Sequence, residues 1–365
     1  MSYFNKIKLS DFVHMNPTER LPKGNIARKV SMDQIEPYKK FVFSANYEPY
    51  SGGAKFRNGD TIMARITPCL ENGKTAFVSG LAENEIAFGS TEYIVLRSKE
   101  NISIPDFVYY LTVSSIVREP AIKSMVGSSG RQRVQQSVLD ELEIPLFSIA
   151  EQQHIVDILG SIDDKIENNG KIIGNLELFA IAEYQKITKD TDSFICLGDV
   201  IDIFDSKRKP LSSREREAKK GSYRYFGATG VLDYVNNYLF DGEYVLLAED
   251  GTVIDAEGFP IVQLVTGQFW VNNHAHIMQA KSNYTNYSLY VALKRLQVKE
   301  AVTGAVQLKI NQANLCALEL PYITPDILLG YNNMIEPMFK KIIHIRNENE
   351  VLNKLKQLYL QKFFG

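Results

Sequence analysis

The chain has 365 residues, of which 45% are hydrophobic and 11% aromatic, and its formal net charge is −2 at pH 7. This length exceeds what a single hydrophobic core usually serves, so two folded domains are expected. The hydrophobic and aromatic content excludes a wholly disordered chain. No apolar run approaches the roughly 18 residues of a membrane-spanning helix, and no export signal is visible, which predicts a cytoplasmic protein that makes no contact with a membrane.

Cysteine and histidine do not form the patterns of a metal site. Cys69, Cys196 and Cys316 are odd in number and far apart, which predicts free thiols in a reducing compartment rather than disulfides or structural zinc. His274 and His276 fit one face of a strand, but no neighbouring residue completes a ligand set, so no metal site is predicted.

An internal repeat organises the chain. Three segments recur in the same order, and the pairs are NGDTIMARI (58–66) with DGEYVLLAE (241–249), FVYYL (107–111) with SLYVAL (288–293), and VQQSVLDELEIP (134–145) with INQANLCALELP (310–321). The offset between the copies falls from 183 to about 180 and then to 176, as loops of unequal length would produce. Three collinear matches indicate two copies of one module.

Each copy begins with segments of strand composition. In the first copy Ile62, Ala64 and Ile66 alternate with polar or exposed partners, which predicts a half-buried strand, and TEYIVLRS (91–98) predicts another. In the second copy the predicted strands are EYVLLAE (243–249), PIVQLV (260–265) and QFWVNNHAHIMQ (268–279).

Turns and short helices are predicted at matching places in the two copies. The dipeptides at 59–60 and 242–243, Gly-Asp and Gly-Glu, predict turns before the strands of the first repeated segment. A short helix is expected to begin near Asp106 in the first copy and near Asn286 in the second.

A long helical pattern follows Pro145 in the first copy and Pro321 in the second. Seven of nine positions spaced alternately three and four residues apart are apolar in each stripe. The stripes are Leu159, Ile162, Ile166, Asn169, Ile173, Leu176, Ala180, Glu183 and Ile187, and then Ile335, Met338, Ile342, Ile345, Asn349, Leu352, Lys356, Tyr359 and Phe363. This alternation over four heptads is typical of a coiled-coil seam about 42 Å long.

The pattern predicts an α+β fold with two β-rich domains in tandem, each followed by a long helix. The two helices are expected to pair as an antiparallel coiled-coil spacer, which gives the chain pseudo-two-fold symmetry. The alternative is that each stripe covers only its own β domain. The predicted segments are a first β-rich domain at 1–147, a first spacer helix at 148–190, a second β-rich domain at 191–324 and a second spacer helix at 325–365.

Several segments resemble the specificity subunit of type I restriction-modification systems. They are GDTIMARITPCLENGKTAFV (59–78), VGSSGRQRV (126–134), IPLFSIAEQQHIVDILGSIDDKIE (144–167), RYFGATGVLDY (224–234) and FDGEYVLLAEDGTV (240–253). The resemblance covers essentially the whole chain. It departs from the family where YITPDIL (322–328) replaces the acidic-Gln-Gln start of the second long helix.

This resemblance implies a non-catalytic subunit with two target-recognition domains that read an asymmetric bipartite site in double-stranded DNA, one half per domain. It further implies that two methyltransferase (modification) subunits dock on the helical spacer and that two restriction (motor and nuclease) subunits join for restriction. A modification-only system is the alternative within the family. No cofactor is expected on this chain, since S-adenosylmethionine, ATP and Mg are expected on the partner subunits.

Two other classes of function compete with this reading. One is an adaptor or lectin-like scaffold that does not bind DNA, and the other is a nuclease or methyltransferase with an unrecognised site. The sequence contains no NPPY-like motif, P-loop, PD…ExK pattern, Ser-His-Asp constellation or HExxH, which disfavours the enzymes.

Basic and amide side chains are the candidate DNA contacts, because Lys and Arg bind phosphates while Arg, Lys, Asn and Gln bind base edges. In the first domain they are Arg57, Arg65, Asn72, Lys74, Arg131, Gln132 and Arg133. In the second domain they are Lys207, Arg208, Lys209, Lys219, Lys220 and Arg224, with Gln307 and Lys309 as further candidates. The alternative for each is an exposed charge without a ligand, and Tyr223 and Tyr225 are expected to be core residues more often than base contacts.

Overall fold

The computed structural model describes residues 5–128, 130–304 and 308–365. The chain divides into two compact units, the first formed by Met1–Asn168 and Asn349–Gly365 and the second by Asn169–Glu348. Gln307, one of the candidate DNA contacts, lies outside the described residues.

The first unit holds most of the short strands. Its elements are β1 (Lys6–Lys8), α1 (Leu9–Phe12), β2 (Val13–Met15), β3 (Ile26–Val30), β4 (Phe41–Val42), β5 (Tyr47–Pro49), β6 (Lys55–Phe56), β7 (Thr61–Ala64), β8 (Thr75–Val78), β9 (Ala87–Gly89), β10 (Tyr93–Ser98), α2 (Pro105–Val113), α3 (Ser115–Lys123), α4 (Gln136–Asp140), β11 (Glu143–Pro145) and the beginning of α5 (Ile149–Thr188). A 3-10 turn at Met32–Gln34 joins β3 to β4.

The main sheet of this unit has the strand order β2-β10-β7-β8-β4, in which only β4 and β8 run parallel. The second sheet has the order β5-β3-β9-β6, and β1 pairs with β11. All four residues of β7 are buried, so the predicted alternation with exposed partners is wrong. The cause is a core on each face of the sheet, since Met63 packs in the cluster around α2 while Ile62 packs against Val30 and Phe56.

The second unit repeats this architecture with longer strands. Its elements are the end of α5, β12 (Phe194–Cys196), α6 (Leu197–Val200), β13 (Ile201–Ile203), α7 (Ser213–Ala218), β14 (Lys220–Phe226), β15 (Val231–Val235), β16 (Phe240–Ala248), β17 (Val262–Val271), β18 (Ala275–Ala280), α8 (Asn286–Lys294), α9 (Gln312–Cys316), β19 (Glu319–Pro321) and the larger part of α10 (Pro325–Phe364). Two 3-10 turns lie at Asp205–Lys207 and Lys299–Ala301.

The sheet of the second unit has the order β13-β18-β16-β17-β14-β15, and β12 pairs with β19. As in the first unit, one pair is parallel, here β14 with β17. The predicted turn at residues 242–243 is wrong, because Gly242 lies inside β16 and pairs with Gly267 of β17. The predicted short helices are confirmed, since α2 begins at Pro105 and α8 at Asn286.

The two long helices begin differently, which accounts for the departure at 322–328. In α5, Ser148 and Glu151 form a reciprocal cap, and the buried Gln152 amide donates to the carbonyl of Ile102 at 2.8 Å. In α10 the corresponding position is Leu328, which is buried in the core of the second unit. There Asn332, one turn later, donates to the Asn283 carbonyl in the loop before α8 at 2.8 Å. Each long helix is thus attached to its β domain by a side-chain amide near its first turns, and in α10 this amide lies one turn later than in α5.

Parts of α5 and α10 pair antiparallel inside each unit. In the first unit the rings of His154 and Phe363 lie 6.1 Å apart, and the Lys356 ammonium lies 2.7 Å from the Asp163 carboxylate. In the second unit Asn169 donates to Glu348 at 2.7 Å, and the Tyr331 hydroxyl donates to the Ala180 carbonyl at 2.8 Å. Residue numbers thus rise along α5 as they fall along α10, which defines the antiparallel direction.

None of the ten apolar candidates of the predicted seam is exposed. Leu159, Ile162, Ile335, Ile342 and Ile345 are buried, and the half-buried members are Ile166, Ile173, Leu176, Met338 and Leu352. The alternative, in which each stripe covers its own β domain, holds in part, because the stripes also pack on the β domains. Ile335 and Ile342 share one core with α8 and the sheet of the second unit.

The end of α10 completes the core of the first unit. The Phe364 ring lies 5.7 Å from Phe107 of α2 and 5.8 Å from Phe147, and Leu360 is buried in the same cluster. Of the helices in the described ranges, none is long and apolar enough to cross a membrane.

A buried polar network joins the helix pair of the first unit to α2. Asp163 on α5 accepts a hydrogen bond from the Tyr110 hydroxyl at 2.8 Å and pairs with Lys356 of α10, and all three side chains are buried. Lys40 extends the network by donating to the Tyr110 oxygen at 3.3 Å and pairing with Asp106 at 2.6 Å. Each buried charge therefore has a partner, as burial requires.

The second unit carries a related network on a different carboxylate. Tyr290, which stands 180 residues after Tyr110, donates to Glu177 of α5 at 3.2 Å. Glu177 also pairs with Arg346 of α10 at 2.8 Å and with Lys294 of α8 at 3.2 Å. The tyrosine is repeated, while the charged groups around it are not.

Replacing Lys356 with Met leaves the Asp163 carboxylate buried without its cation. The free energy of unfolding should fall by about 3–5 kcal/mol, measured by urea denaturation. The matched control is Lys354→Met on the exposed side of α10, which should change stability by less than about 1 kcal/mol. Adding Asp163→Leu to the Lys356→Met variant should restore much of the lost stability, because no unpaired charge then remains buried. Equal stability of the Lys356→Met and Lys354→Met variants would contradict the role of the ion pair.

Candidate nucleic-acid interface

The loop between β7 and β8 carries two of the candidates in the first unit. Asn72 is exposed at its tip, while Lys74 is half-buried and donates to the Met32 carbonyl at 2.7 Å. Gly73 has a φ of +78°, and a Cβ there would lie 2.6 Å from the Tyr38 ring. Glycine is therefore needed for the loop to pass Tyr38, and this holds Asn72 outward.

Arg57 lies in an internal ion-pair cluster. It pairs with Glu19 at 2.5 Å, and Arg97 pairs with Glu19 at 2.8 Å and forms two hydrogen bonds with the buried Asp60. Burial alone would raise the pKa of Glu19, but the hydrogen bonds from the two arginines hold that pKa below its ordinary value. Arg57 thus serves to position the start of β7.

The structure brings together two candidate segments that are far apart in the sequence. The amide of Thr67 donates to the Gln132 carbonyl at 3.0 Å, and the amide of Val134 donates to the Arg65 carbonyl at 2.8 Å. Residues 131–134 therefore lie beside the end of β7. Arg133 forms hydrogen bonds of 2.7–3.0 Å with Glu92, which lower the pKa of that carboxyl.

In the second unit Arg208 belongs to a charged cluster that sequence reasoning missed. Its guanidinium lies 2.6 Å from Glu249, and Lys309 pairs with the other oxygen of Glu249 at 3.1 Å. Asp205 accepts from His276 at 2.6 Å. Burial would raise the pKa values of Glu249 and Asp205, but Arg208 and His276 among others hold both below their ordinary values.

Asp205, Glu249 and His276 place one ligand atom each within 4.8 Å of one another, so the third ligand that the sequence did not reveal is present. The cluster nevertheless does not suit a cation. Nδ1 of His276 lies 2.6 Å from the Asp205 carboxylate and Nε2 lies 2.7 Å from the Ile310 carbonyl, so both ring nitrogens already have partners in the protein. Arg208 and Lys309 already supply the positive charge.

Trp270 contacts two of the remaining candidates of the second unit, Lys209 and Lys219. The indole nitrogen donates to the Lys209 carbonyl at 2.6 Å, and the Lys219 ammonium lies 5.8 Å from the ring centroid. Lys220 pairs with Asp233 at 2.9 Å, and Arg224 donates to the Thr266 carbonyl at 2.5 Å. Trp270 carried no signal in the sequence beyond being the single tryptophan.

The tyrosines of β14 divide between core and surface. Tyr225 is buried, as expected, and its hydroxyl accepts from the Leu211 amide at 2.9 Å. Tyr223 is half-buried against Tyr238, with ring centroids 5.1 Å apart.

Three exposed cations stand out, because within the described ranges no carboxylate pairs with Arg131, Lys207 or Lys209. Lys207 lies over the Phe204 ring at 5.1 Å. Sequence reasoning passed over three further exposed basic residues, which are Arg20, Lys23 and Arg214. A loop with Pro and Gly at 16–25 was a signal for Arg20 and Lys23. Arg214 lies in a basic segment, residues 207–224, that contains eight Lys or Arg against two Glu.

A family model described as the type I restriction modification DNA specificity domain matches residues 1–178 and 190–326. Among curated proteins, S.HindORF215P of Haemophilus influenzae, described as a type I restriction enzyme specificity subunit, is 35% identical over 125 residues, which are 34% of this chain and 31% of that protein. The MjaIX specificity subunit of Methanocaldococcus jannaschii is 24% identical over 301 residues, which are 72% of this chain and 69% of that protein.

The fold is also known from a solved structure. The S subunit of a type I restriction-modification system from M. genitalium aligns over 100% of this chain and 97% of its own, with a TM-score of 0.54 and 17% identity. The chain spans about a third of the Haemophilus protein, so sequence similarity to that relative is confined to part of its length. The family model, in contrast, covers most of both units, and the chain belongs to the family of type I restriction-modification DNA specificity domains.

Proposed function

We propose that this chain is the DNA-recognition subunit of a type I restriction-modification complex. It reads a bipartite, asymmetric site in double-stranded DNA, with one half bound by residues 1–147 and the other by residues 191–324, and it performs no chemistry. The main support is the duplicated sheet with different surfaces. The order β2-β10-β7-β8-β4 corresponds to β13-β18-β16-β17-β14, while the basic residues on the two sheets differ. A common scaffold with two unlike surfaces suits two unlike half-sites.

The partners are two modification subunits that dock on the spacer segments, 148–190 and 325–365. Exposed apolar side chains on these helices, outside the seam, support this assignment; they are Ile172, Leu178, Phe179, Val351, Leu355 and Leu358. Phe179 and Leu355 stand 176 residues apart, at equivalent positions of the repeat, as expected for two copies of one partner.

The chemistry then belongs to those partners in the cytoplasm. The modification subunits bind S-adenosylmethionine, and two restriction subunits, where present, use ATP and Mg. This chain contributes the choice of DNA sequence.

Two kinds of role follow for the candidate contacts. Arg131, Lys207 and Lys209 are exposed and bind phosphates, with Lys74 and Lys219 beside them, whereas Asn72, Gln132 and Arg224 lie at positions suited to base edges. The ion-paired members, Arg57, Arg133, Arg208 and Lys220, chiefly hold the loops in place. Arg65 packs beside residues 131–134 and orients that segment.

The deciding experiment is co-expression of the full chain with a modification subunit with which it assembles, in a host without methylation, followed by mapping of methyladenine across the genome. One motif with two specified parts and a fixed gap is expected. A correctly assembled complex that methylates nothing, together with DNA binding that is insensitive to salt, would favour the adaptor. Methylation or metal-dependent cleavage by this chain alone would instead favour the enzyme.

Removing two phosphate contacts should weaken binding to every DNA sequence alike. The Lys207→Ala, Lys209→Ala double variant should reduce the slope of log affinity against log salt by about two, measured by fluorescence anisotropy. The control is Lys340→Ala, Lys341→Ala, an exposed pair on α10 of the same unit, which should leave the slope unchanged. A change in sequence preference without a change in slope would refute the phosphate role.

Asn72 should behave differently, because an amide specifies a base rather than neutralising charge. Asn72→Ala should relax one base position of the half-site read by the first domain, with a loss of about 1–3 kcal/mol of discrimination. The salt slope should stay the same. Lys123→Ala, which removes an exposed charge from α3 in the same unit, should alter neither motif nor slope appreciably. An unchanged methylation motif in the Asn72 variant would remove this residue from the interface.

A further inference from the structure

The sheet of the second unit carries a strand without a counterpart in the main sheet of the first, among the residues that the structure describes. The two sheets correspond strand by strand up to β4 and β14, which occupy equivalent places and each run parallel to their neighbour. β4 has two residues, whereas β14 has seven and continues into β15, which forms the edge. We call Lys220–Val235, the hairpin of β14 and β15, the terminal hairpin.

One face of the terminal hairpin is covered by its own unit. Tyr225, Val235 and Trp270 form a small core with Leu211 on this face. Asp233, which pairs in register with Tyr225, forms an ion pair with Arg216 of α7 at 3.1 Å. Helix α7 and the loop before it therefore fix the hairpin from behind.

The other face is open along β15, whereas on β14 Phe226 is buried there in a second core with Phe269. Arg224 and Tyr234 are paired in register, and Leu232 stands two residues before Tyr234, so strand alternation places all three on the face opposite the small core. Leu232 is 56% exposed and Tyr234 is 48% exposed. The guanidinium of Arg224 donates to Thr266 and lies 5.6 Å from the Phe226 ring, which holds it at the base of this face. β15 is the last strand of the sheet, so its outer edge is also accessible.

The charge around the hairpin is the opposite of the charge of the chain. Residues 207–239 contain eight Lys or Arg against three Asp or Glu, in a chain of formal net charge −2. Lys209 and Lys219 both lie beside Trp270, against the covered face. On the open face the cation is Arg224, which is paired in register with Tyr234, and a positive charge beside apolar and aromatic groups complements duplex DNA, whose phosphates flank the bases.

The position at the sheet edge also fits. Proteins read the major groove of B-DNA, which is about 12 Å wide, with strands as well as with helices, and β15 is the edge strand of this sheet. There arginine binds guanine through two hydrogen bonds, and apolar side chains contact the methyl group of thymine.

We propose that the open face of the terminal hairpin, formed by Arg224, Leu232 and Tyr234, enters the major groove and determines the half-site read by the second domain. Arg224 donates to a base edge, Leu232 contacts the apolar edge of a base pair, and Tyr234 adds its ring and hydroxyl beside them. The inference rests on the proposed function and deepens it by naming the specificity element.

The test compares Tyr234→Ala and Leu232→Ala with Tyr322→Ala in the full chain, each co-expressed with the modification subunit. Tyr322 is 43% exposed and follows β19 in the same unit, so it is a matched exposed tyrosine away from the hairpin. Exchange of residues 191–324 for those of another family member first identifies which half of the motif the second domain reads. Methyladenine mapping then gives the motif of each variant.

We expect Tyr234→Ala and Leu232→Ala each to reduce discrimination about tenfold at one or two base pairs of that half, and to leave the other half intact. Tyr322→Ala should keep the original motif. Because neither hairpin variant changes charge, the salt slope of DNA binding should equal that of the unaltered chain. If Tyr234→Ala does not assemble, Leu232→Ala, which shortens an exposed side chain, decides the question.

The outcomes separate the inference from the function on which it rests. An unaltered chain that yields a bipartite motif, with hairpin variants that yield the same motif, would overturn the hairpin assignment and leave the proposed function in place. Relaxation in the half read by the first domain would overturn it as well. An unaltered chain that assembles but selects no DNA sequence would refute the proposed function, and the inference with it.

Discussion

Neither α5 nor α10 can bury its apolar stripe alone, and this constraint determines how both units are built. Each unit combines a β domain with a piece of both helices, and the stripe packs simultaneously on the partner helix and on the domain. The pairing is fixed by charge as well as by apolar contact. Asp163 is buried and needs Lys356 and Tyr110, so only one alignment of the helices satisfies it.

The polar contacts also distinguish the two halves of the repeat. The position equivalent to Asp163 is Phe339, which stacks on Tyr287 with centroids 5.1 Å apart, and the position equivalent to Lys356 is Ala180. A helix segment placed in the other unit would thus set a carboxylate or an ammonium among aromatic and methyl groups, which costs several kcal/mol. The repeat supplies a common scaffold, and these unlike residues ensure that each segment packs with its own domain.

The sequence predicted the features that repeat or have a clear period. The two copies, the starts of α2 and α8 and the apolar seam followed from spacing alone, because helical periodicity is local. The errors came from contacts distant in sequence. The alternation around Ile62 failed since β7 has a core on both faces, and Gly242 was taken for a turn because its pairing with Gly267 lies 25 residues away.

The candidate interface shows the same limit. Arg57, Arg133 and Arg208 match the residue type of a DNA contact, but each pairs with a carboxylate that is 38 to 41 residues distant. No local pattern announces such a partner. The motif at 224–234 was recognised by resemblance, yet only the sheet order shows that it forms an edge hairpin with one open face.

The contact of Phe364 with Phe107 and Phe147 has a consequence for the synthesis of the chain. A ribosome makes the first β domain early, but the side chains that close its core are added more than 200 residues later. Until then the parts of α2 and α5 that Leu360 and Phe364 cover remain in water. The second unit, whose residues are contiguous, is complete sooner. The domain that is synthesised first is therefore the one that finishes folding last. Until residues 349–365 are made, its exposed apolar surface is open to aggregation and to chaperone binding.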